Sequence, residues 1–421
     1  MIIDSSYTAT LAVKPDSDFH HQKRLRVLVY TTLFPNSVQP LMGNFVLEGM
    51  RFLLKFVDMS VTAPVPYFPN WIRFNSRWQN WAQVPGKEQF GGFEVQHPRY
   101  VVFPKLGMAT HGVSMFAGTL QQVRRRLESA DYDLIAAQYV YPDGFAAALL
   151  ASVLNKPLVV SALGSDINLF SQFTVIRPLI RHVLRRSDGL IAVSHSLKER
   201  MVKLGCPAGN VAVIHNGVDP QKFIPRPQLE MRQQLGLPED RPIVMAVGTL
   251  NDNKGFHILI EAVSRLRSSG VMLLIAGEGP RRGNLERQIR ESRLTDNVRL
   301  IGAVPHGELS TWYNAADVFC LASSREGCPN VVLEAMACGR PVVATRVGGL
   351  QELVVSSEIG TLVDRSPEAF ETALRDAFNR QWDHNSIVAH ARTHSWNNVS
   401  IQVMDVYSRA IAHFHKKEPY C

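Results

Sequence analysis

Cysteine is scarce in this 421-residue chain and shows no pairing pattern: Cys206, Cys320, Cys328, Cys338 and Cys421 are an odd number without Cys-x-x-Cys spacing. That excludes a disulfide framework. The histidines do not supply the paired short spacings of a zinc site either, so buried free thiols and no bound metal are expected. Charged residues make up only 19% against 46% hydrophobic ones, which excludes the charge-rich profile of a disordered chain. No window of 18 residues is free of charges and turn formers, so a membrane-spanning helix is not expected. Residues 1–22 lack the basic start and apolar stretch of a secretory signal and read as a loose tail, which makes a cytoplasmic location the expectation. Basic residues are not interleaved with aromatics, so nucleic acid is not an expected partner.

What is present is length enough for two or three domains and an uneven charge. Residues 1–219 carry 22 Lys and Arg against 15 Asp and Glu, whereas residues 220–421 carry 23 against 22. Two clusters supply much of the surplus in the first half: Arg124, Arg125 and Arg126, then Arg177, Arg181, Arg185 and Arg186, three of which share a helix face. Two readings stay open here. One is a solvated helix face; the other is a surface that meets anionic lipid at the inner face of the plasma membrane.

Short β-branched, apolar runs alternate with helical periodicity. Arg26–Thr32, Leu134–Gln138, Pro157–Leu163, Gly189–Ser194 and Val211–His215 read as parallel strands of a first domain over residues 23–219. Prolines 220, 225, 227, 238 and 242 then mark a linker over 220–242. The alternation restarts with Ile243–Val247, Val271–Ala276, Val298–Ile301, Val318–Leu321 and Pro341–Ala344, giving a second domain over 243–395. The expected fold class is α/β, with two doubly wound parallel sheets. In such sheets ligands sit outside the carboxyl ends of the strands, which points to the cleft between the domains.

The segment from Ser323 to Thr345 runs strand, loop, helix, strand. It carries Glu326 in the loop and Glu334 in the helix, with Pro329 at the helix start and Gly339 and Pro341 at its end. A helix N-terminus offers unpaired N–H groups to an anion. A carboxylate beside it suits a polyhydroxyl ligand such as a sugar; spacing alone leaves the alternative of two solvated glutamates open. Two other signals are read as structural. Gly277-x-Gly279 lacks the third glycine of a dinucleotide fingerprint, since Gly283 falls one place late. Asp131-Tyr-Asp133 precedes a buried strand and reads as a turn, not as a metal-binding pair. His195 and His215 read as rim residues at strand ends.

The Glu326-x7-Glu334 pattern resembles the motif of the family 4 glycosyltransferases, retaining enzymes of the GT-B fold. Gly43-Asn-Phe45, Tyr141-Pro-Asp-Gly144, Gly164-Ser-Asp166, Asn216-Gly-Val-Asp219, Val247 to Gly255 and Gly277 to Pro280 agree in order. The wording around Ala162–Ile167 and Glu326–Asn330 is similar to bacterial enzymes of cell-wall and extracellular polysaccharide assembly. The resemblance implies a metal-independent hexosyl transfer from a nucleoside diphosphate sugar to a glycan or lipid-linked acceptor, with no cofactor. It implies Glu326 beside the donor sugar, Glu334 on the ribose hydroxyls and Lys254 on the diphosphate. Gly43, Gly248, Thr249, Gly327, Cys328, Pro329 and Asn330 complete the donor site, while Asn44, Gly164, Ser165 and Asp166 are acceptor-side or sugar-contact candidates. It further implies a C-terminal helix over 396–421 that crosses back to the first domain. The family usually has an arginine at Thr249 and often a histidine at Leu163. A phosphorylase on the same fold, a sugar-nucleotide epimerase and an inert sugar-nucleotide-binding subunit are the competing readings.

Overall fold

The computed structural model of the chain describes residues 24–67, 76–102 and 107–417; the 1–22 tail and Cys421 lie outside the described residues. The first domain holds β1 (Arg26–Tyr30), β2 (Asp58–Thr62), β3 (Val65–Tyr67), β4 (Lys87–Phe90), β5 (Phe93–Gln96), β6 (Arg99–Val101), β7 (Leu134–Gln138), β8 (Leu158–Ala162), β9 (Gly189–Ala192) and β10 (Val211–Val213). Eight of them form one sheet in the order β10-β9-β8-β7-β1-β2-β5-β4, and β3 pairs with β6 apart from it. Every pair in the large sheet is parallel except the β4–β5 hairpin, which turns at Gly91-Gly92 with φ of 62° and 93°, values that glycine adopts without steric cost.

The second domain holds β11 (Ile243–Val247), β12 (Met272–Ala276), β13 (Val298–Gly302), β14 (Val318–Leu321), β15 (Val342–Thr345) and β16 (Gly360–Val363). Its sheet is wholly parallel, in the order β13-β12-β11-β14-β15-β16. Strand order reverses at β1/β7 in the first sheet and at β11/β14 in the second. These two switch points face each other across the cleft.

Parallel strands covered by helices on both faces must be apolar on both faces. On β1, Leu28 and Tyr30 join one buried cluster while Val27 and Val29 join another; on β11, Met245 and Val244 divide in the same way. The helix Trp396–Lys417 covers the Val27 face through Trp396, Val399, Val403, Val406, Tyr407 and Ala410, all buried. At about 1.5–3 kcal/mol for each large side chain, this face holds the C-terminal helix against the first domain. Its first residue is wedged: a Cβ on Gly49 or Gly217 would lie 2.9 or 2.6 Å from the Trp396 indole.

Residues 220–242, expected as the linker, connect the two domains. They carry the helix Gln228–Gln234, whose Arg232 is buried and fastened to the second domain by Asp317 at 2.7 Å and by the Ala315 carbonyl at 2.9 Å. The chain crosses between the domains a second time at Ser395, which bridges in parallel to Val218. The first basic cluster is also revised. Arg126 is buried, donates to the Val61 carbonyl and pairs with Glu94 at 3.0 Å, so it is no part of a surface patch. Arg181 and Arg185 are exposed on the helix Arg177–Arg186. Among the described residues no helix is long and apolar enough to cross a membrane.

Candidate functional site

After β14 the chain leaves the sheet as a loop, Ala322 to Pro329, and enters the helix Asn330–Ala337. Pro329 stands at the cap position and no side chain caps the helix; Val332 N–H donates to the Pro329 carbonyl at 3.1 Å, which leaves the N–H groups of Asn330 and Val331, both lining the cleft, for an anion. Glu326 Oε1 accepts a hydrogen bond from Lys254 Nζ at 2.6 Å, with the side chains only 10% and 20% exposed. Lys254 ends a turn after β11, where Asn251 Oδ1 accepts its backbone N–H at 3.2 Å. The next residue, Gly255, has φ of 67°, and a Cβ there would lie 2.1 Å from the Ala322 carbonyl oxygen. The lysine turn and the glutamate loop are thus pressed together by backbone contact.

Glu334 opens onto the same cleft from the helix. His306 Nε2 lies 2.8 Å from its Oε1, and the Tyr313 hydroxyl donates to its Oε2 at 2.9 Å. Burial, and then the adjacent Glu334 carboxylate, push the Tyr313 phenol far above its ordinary value, so it stays a donor. An open cavity of about 1010 Å³ brings Glu326, Lys254, Asn330 and Glu334 together with Asn44 and Phe45 of the first domain. Gly327, Cys328 and Pro329 line it too. Burial holds the Cys328 thiol up at about 12, and its main chain is clasped by Asn216, which donates to the Cys328 carbonyl at 2.9 Å and to Asn330 Oδ1 at 2.7 Å. Gly43 starts the opposite helix, Asn44–Leu53, in the left-handed region at φ 65°, with no space for a Cβ beside the Leu33 carbonyl. Gly248 has φ of 155° with the Lys254 stem packed over it, and Thr249 is exposed beside it. Gly277 and Gly279 back this turn: a Cβ on either would overlap the Gly248 or Leu250 main chain.

A second cavity of about 1170 Å³ lies across Glu326 and Gly327, with Tyr139, Gly164 and Ser165 on the first-domain side and Asn251, Asn253 and Arg325 on the other. The domains approach closely here, since a Cβ on Gly327 would come within 2.5 Å of the Leu163 carbonyl oxygen. Ser165 is exposed and meets the Tyr139 hydroxyl at 2.5 Å. Asp166, expected at the acceptor side, lies beneath the cavity instead. It is fully buried and accepts N–H bonds from Val140 at 2.9 Å and Gly164 at 2.8 Å; it braces the loop rather than facing a ligand.

Asp143 plays a matching part under β1, accepting from the backbone and hydroxyl of Thr32. Burial pushes its carboxyl up to about 7, against the lowering by Thr32. The folded protein therefore keeps a proton between about pH 4 and 7 that the unfolded chain releases, and this contribution to stability is lost as pH rises through that window. Asp143→Asn is expected to gain on the wild type by on the order of 2 kcal/mol between pH 5 and pH 8. Denaturant melts at both pH values measure it; a difference that does not change with pH would show that Asp143 carries no such penalty.

The sequence model described as "Glycosyl transferases group 1" matches residues 227–394, and "Glycosyltransferase Family 4" matches residues 81–222. The chain belongs to the family 4 glycosyltransferases. This glycosyltransferase is 29% identical over 357 residues to a Bacillus subtilis protein named as a teichuronic acid biosynthesis glycosyltransferase, covering 83% of this chain and 88% of that one. Among solved structures it superposes on sucrose-phosphate synthase from Thermosynechococcus elongatus with a TM-score of 0.75 at 21% identity, over 93% of this chain and 100% of that one. It superposes on Anabaena HepE in complex with UDP and glucose with a TM-score of 0.70 at 20% identity, over 92% and 100%. The fold is GT-B, as the sequence led one to expect.

Several residues that shape the glycosyltransferase cleft were not singled out from the sequence. Gly348 and Gly349 lie flush against the Glu326 and Gly327 carbonyls; their signal was a Gly-Gly pair closely following a strand. Glu352 of the second domain accepts from the N–H groups of His195 at 2.8 Å and Ser196 at 3.1 Å, and from His215 Nε2 at 2.9 Å. Burial opposes its charge, but these donors hold the carboxyl below its ordinary value. The two rim histidines thus sit at an interdomain contact. Among the described residues no group of three or more His, Cys, Asp or Glu side chains is arranged to hold a metal ion.

Proposed function

We propose that the protein moves a hexosyl group from a nucleoside diphosphate sugar to a glycan or lipid-linked acceptor in bacterial polysaccharide assembly, with retention and without a metal. The observation that carries this reading is the Lys254–Glu326 pair, 2.6 Å apart, beside the uncapped start of the helix that also bears Glu334. In this reading the diphosphate lies across the helix start and Lys254. These groups act on the charge that builds on the leaving oxygen, and because they are held in place they need no reorganisation as the bond breaks. Glu326 orients the sugar and faces the positive charge that develops on its ring. Glu334 takes the ribose hydroxyls, and the cavity across Glu326 admits the acceptor. The UDP and glucose bound by HepE, and the polymer named for the Bacillus relative, favour a nucleotide-sugar donor and a polysaccharide product.

A thermal-shift panel of UDP-, GDP- and ADP-sugars is expected to yield one donor that stabilises the protein by about 2.7 kcal/mol at ~100 times its dissociation constant. Turnover of that donor in excess EDTA is expected to stay within about tenfold of the untreated rate. A larger loss restored by manganese or magnesium would end the metal-free reading. Phosphate-dependent release of sugar phosphate would identify a phosphorylase, and binding without turnover an inert subunit.

A further inference from the structure

We propose that Glu48, Lys222 and His306 are positioning residues that hold the Glu334 carboxylate for the nucleoside, so that a side chain of the first domain sets nucleotide recognition in the second. The inference rests on the assignment of Glu334 to the ribose hydroxyls made above. His306 stands between two carboxylates that come from opposite sides of the cleft. Its Nε2 is 2.8 Å from Glu334 Oε1, while its Nδ1 is 3.5 Å from Lys222 Nζ and 4.0 Å from Glu48 Oε1. Lys222 Nζ in turn lies 3.1 Å from Glu48 Oε2, and Arg51 holds the other oxygen at 3.0 Å. Glu48 belongs to the helix Asn44–Leu53 of the first domain, Lys222 to the connector, and His306 and Glu334 to the second domain.

The chemistry fixes the direction of these bonds. An ammonium group has no lone pair, so Lys222 donates and Nδ1 accepts; the ring proton then sits on Nε2 and is donated to Glu334. Tyr313 donates to the other Glu334 oxygen, and Phe223, next to Lys222 in the chain, packs edge-on against His306 with ring centroids 5.3 Å apart. Glu334 is thereby held by one donor on each oxygen and keeps a free lone pair on each, as a pair of adjacent hydroxyls requires. The Glu334 carboxylate, which can only accept, favours the same tautomer, and Lys222 on Nδ1 reinforces it and holds the ring in place.

The test is calorimetric binding of UDP and GDP, each beside its 2′-deoxy counterpart, to the wild type, Lys222→Met and Glu48→Gln. The wild type is expected to prefer the better ribonucleotide by about tenfold or more, the worth of a hydrogen bond to a charged group. In both variants the preference should shrink to about threefold or less, with affinity for the deoxynucleotide little changed. General loosening of the site would weaken both members equally and leave the preference intact; that result overturns the relay alone. A wild type without preference overturns the ribose assignment and the relay with it. Should Glu48→Gln fail to fold, Lys222→Met decides, since the Lys222 side chain is partly exposed and Arg51 still pairs Glu48.

Discussion

Lys254→Met is expected to lower turnover by a factor of about 100 to 1000, the usual cost of removing one preorganised donor from a developing negative charge. Stability should fall as well, by about 1–3 kcal/mol, because Glu326 loses a charged donor at 2.6 Å although it still lines two open cavities. Glu326→Gln should lower turnover about tenfold to hundredfold and leave nucleoside diphosphate affinity nearly intact, whereas Glu334→Gln should chiefly raise the donor Michaelis constant. The combined Lys254→Met, Glu326→Gln protein should recover most of the lost stability and none of the activity. Steady-state kinetics with calorimetry and denaturant melts separate the two effects. Wild-type turnover in Glu326→Gln would reduce that glutamate to a loop residue and strengthen the inert-subunit reading.

An alanine at position 349, which changes no charge, should be nearly as damaging. Gly349 has an ordinary φ of −65°, so backbone conformation is not at issue; the obstacle is that a Cβ would lie 1.8 Å from the Gly327 carbonyl oxygen. One of the two backbones must yield, and the Glu326–Gly327 loop borders both cavities and so has open space to move into. A displacement near 1 Å in a reacting constellation costs on the order of 100-fold. Gly349→Ala is therefore expected to lose about that factor in kcat/KM. Gly209→Ala, where a Cβ meets nothing within 4 Å, should match the wild type. Equal activity in the two variants would disconnect the glycine pair from the catalytic loop.

Eight of the ten strands legible in the sequence lie between two neighbours inside a sheet; β10 and β13, at sheet edges, are legible by their apolar residues alone. Ile243–Val247 is buried at every position, and a run with no polar member is hard to mistake. The strands β2, β3, β4, β5, β6 and β16 are not legible, because they are short or partly solvated. Lys87–Phe90 lies at the sheet edge with exposed and half-buried residues alternating, Asp58–Thr62 begins exposed, and Gly360–Val363 is three-quarters half-buried. Composition misled in one respect, since an arginine triplet says nothing of which member turns inward, and Arg126 does.

The site divides along a similar line. Glu326, Asn330 and Glu334 lie within nine residues on a loop and a helix, so a linear pattern captures them. Lys222 and Glu48 are 174 residues apart, and no local signal announces that they meet. Asp166 shows the converse, a motif residue whose carboxylate is spent on backbone N–H groups one layer below the surface.

The two crossings of the chain between domains lie side by side. Val218 N–H donates to the His394 carbonyl at 2.9 Å, and Trp396 N–H to Val218 at 3.2 Å. Bodies joined by one strand can swivel about any axis through the joint. Joined by two strands hydrogen-bonded in register, they retain one easy rotation, about the line between the strands, while twist and shear must first break the pairing. A twist or shear of one domain against the other must therefore first part these two bonds.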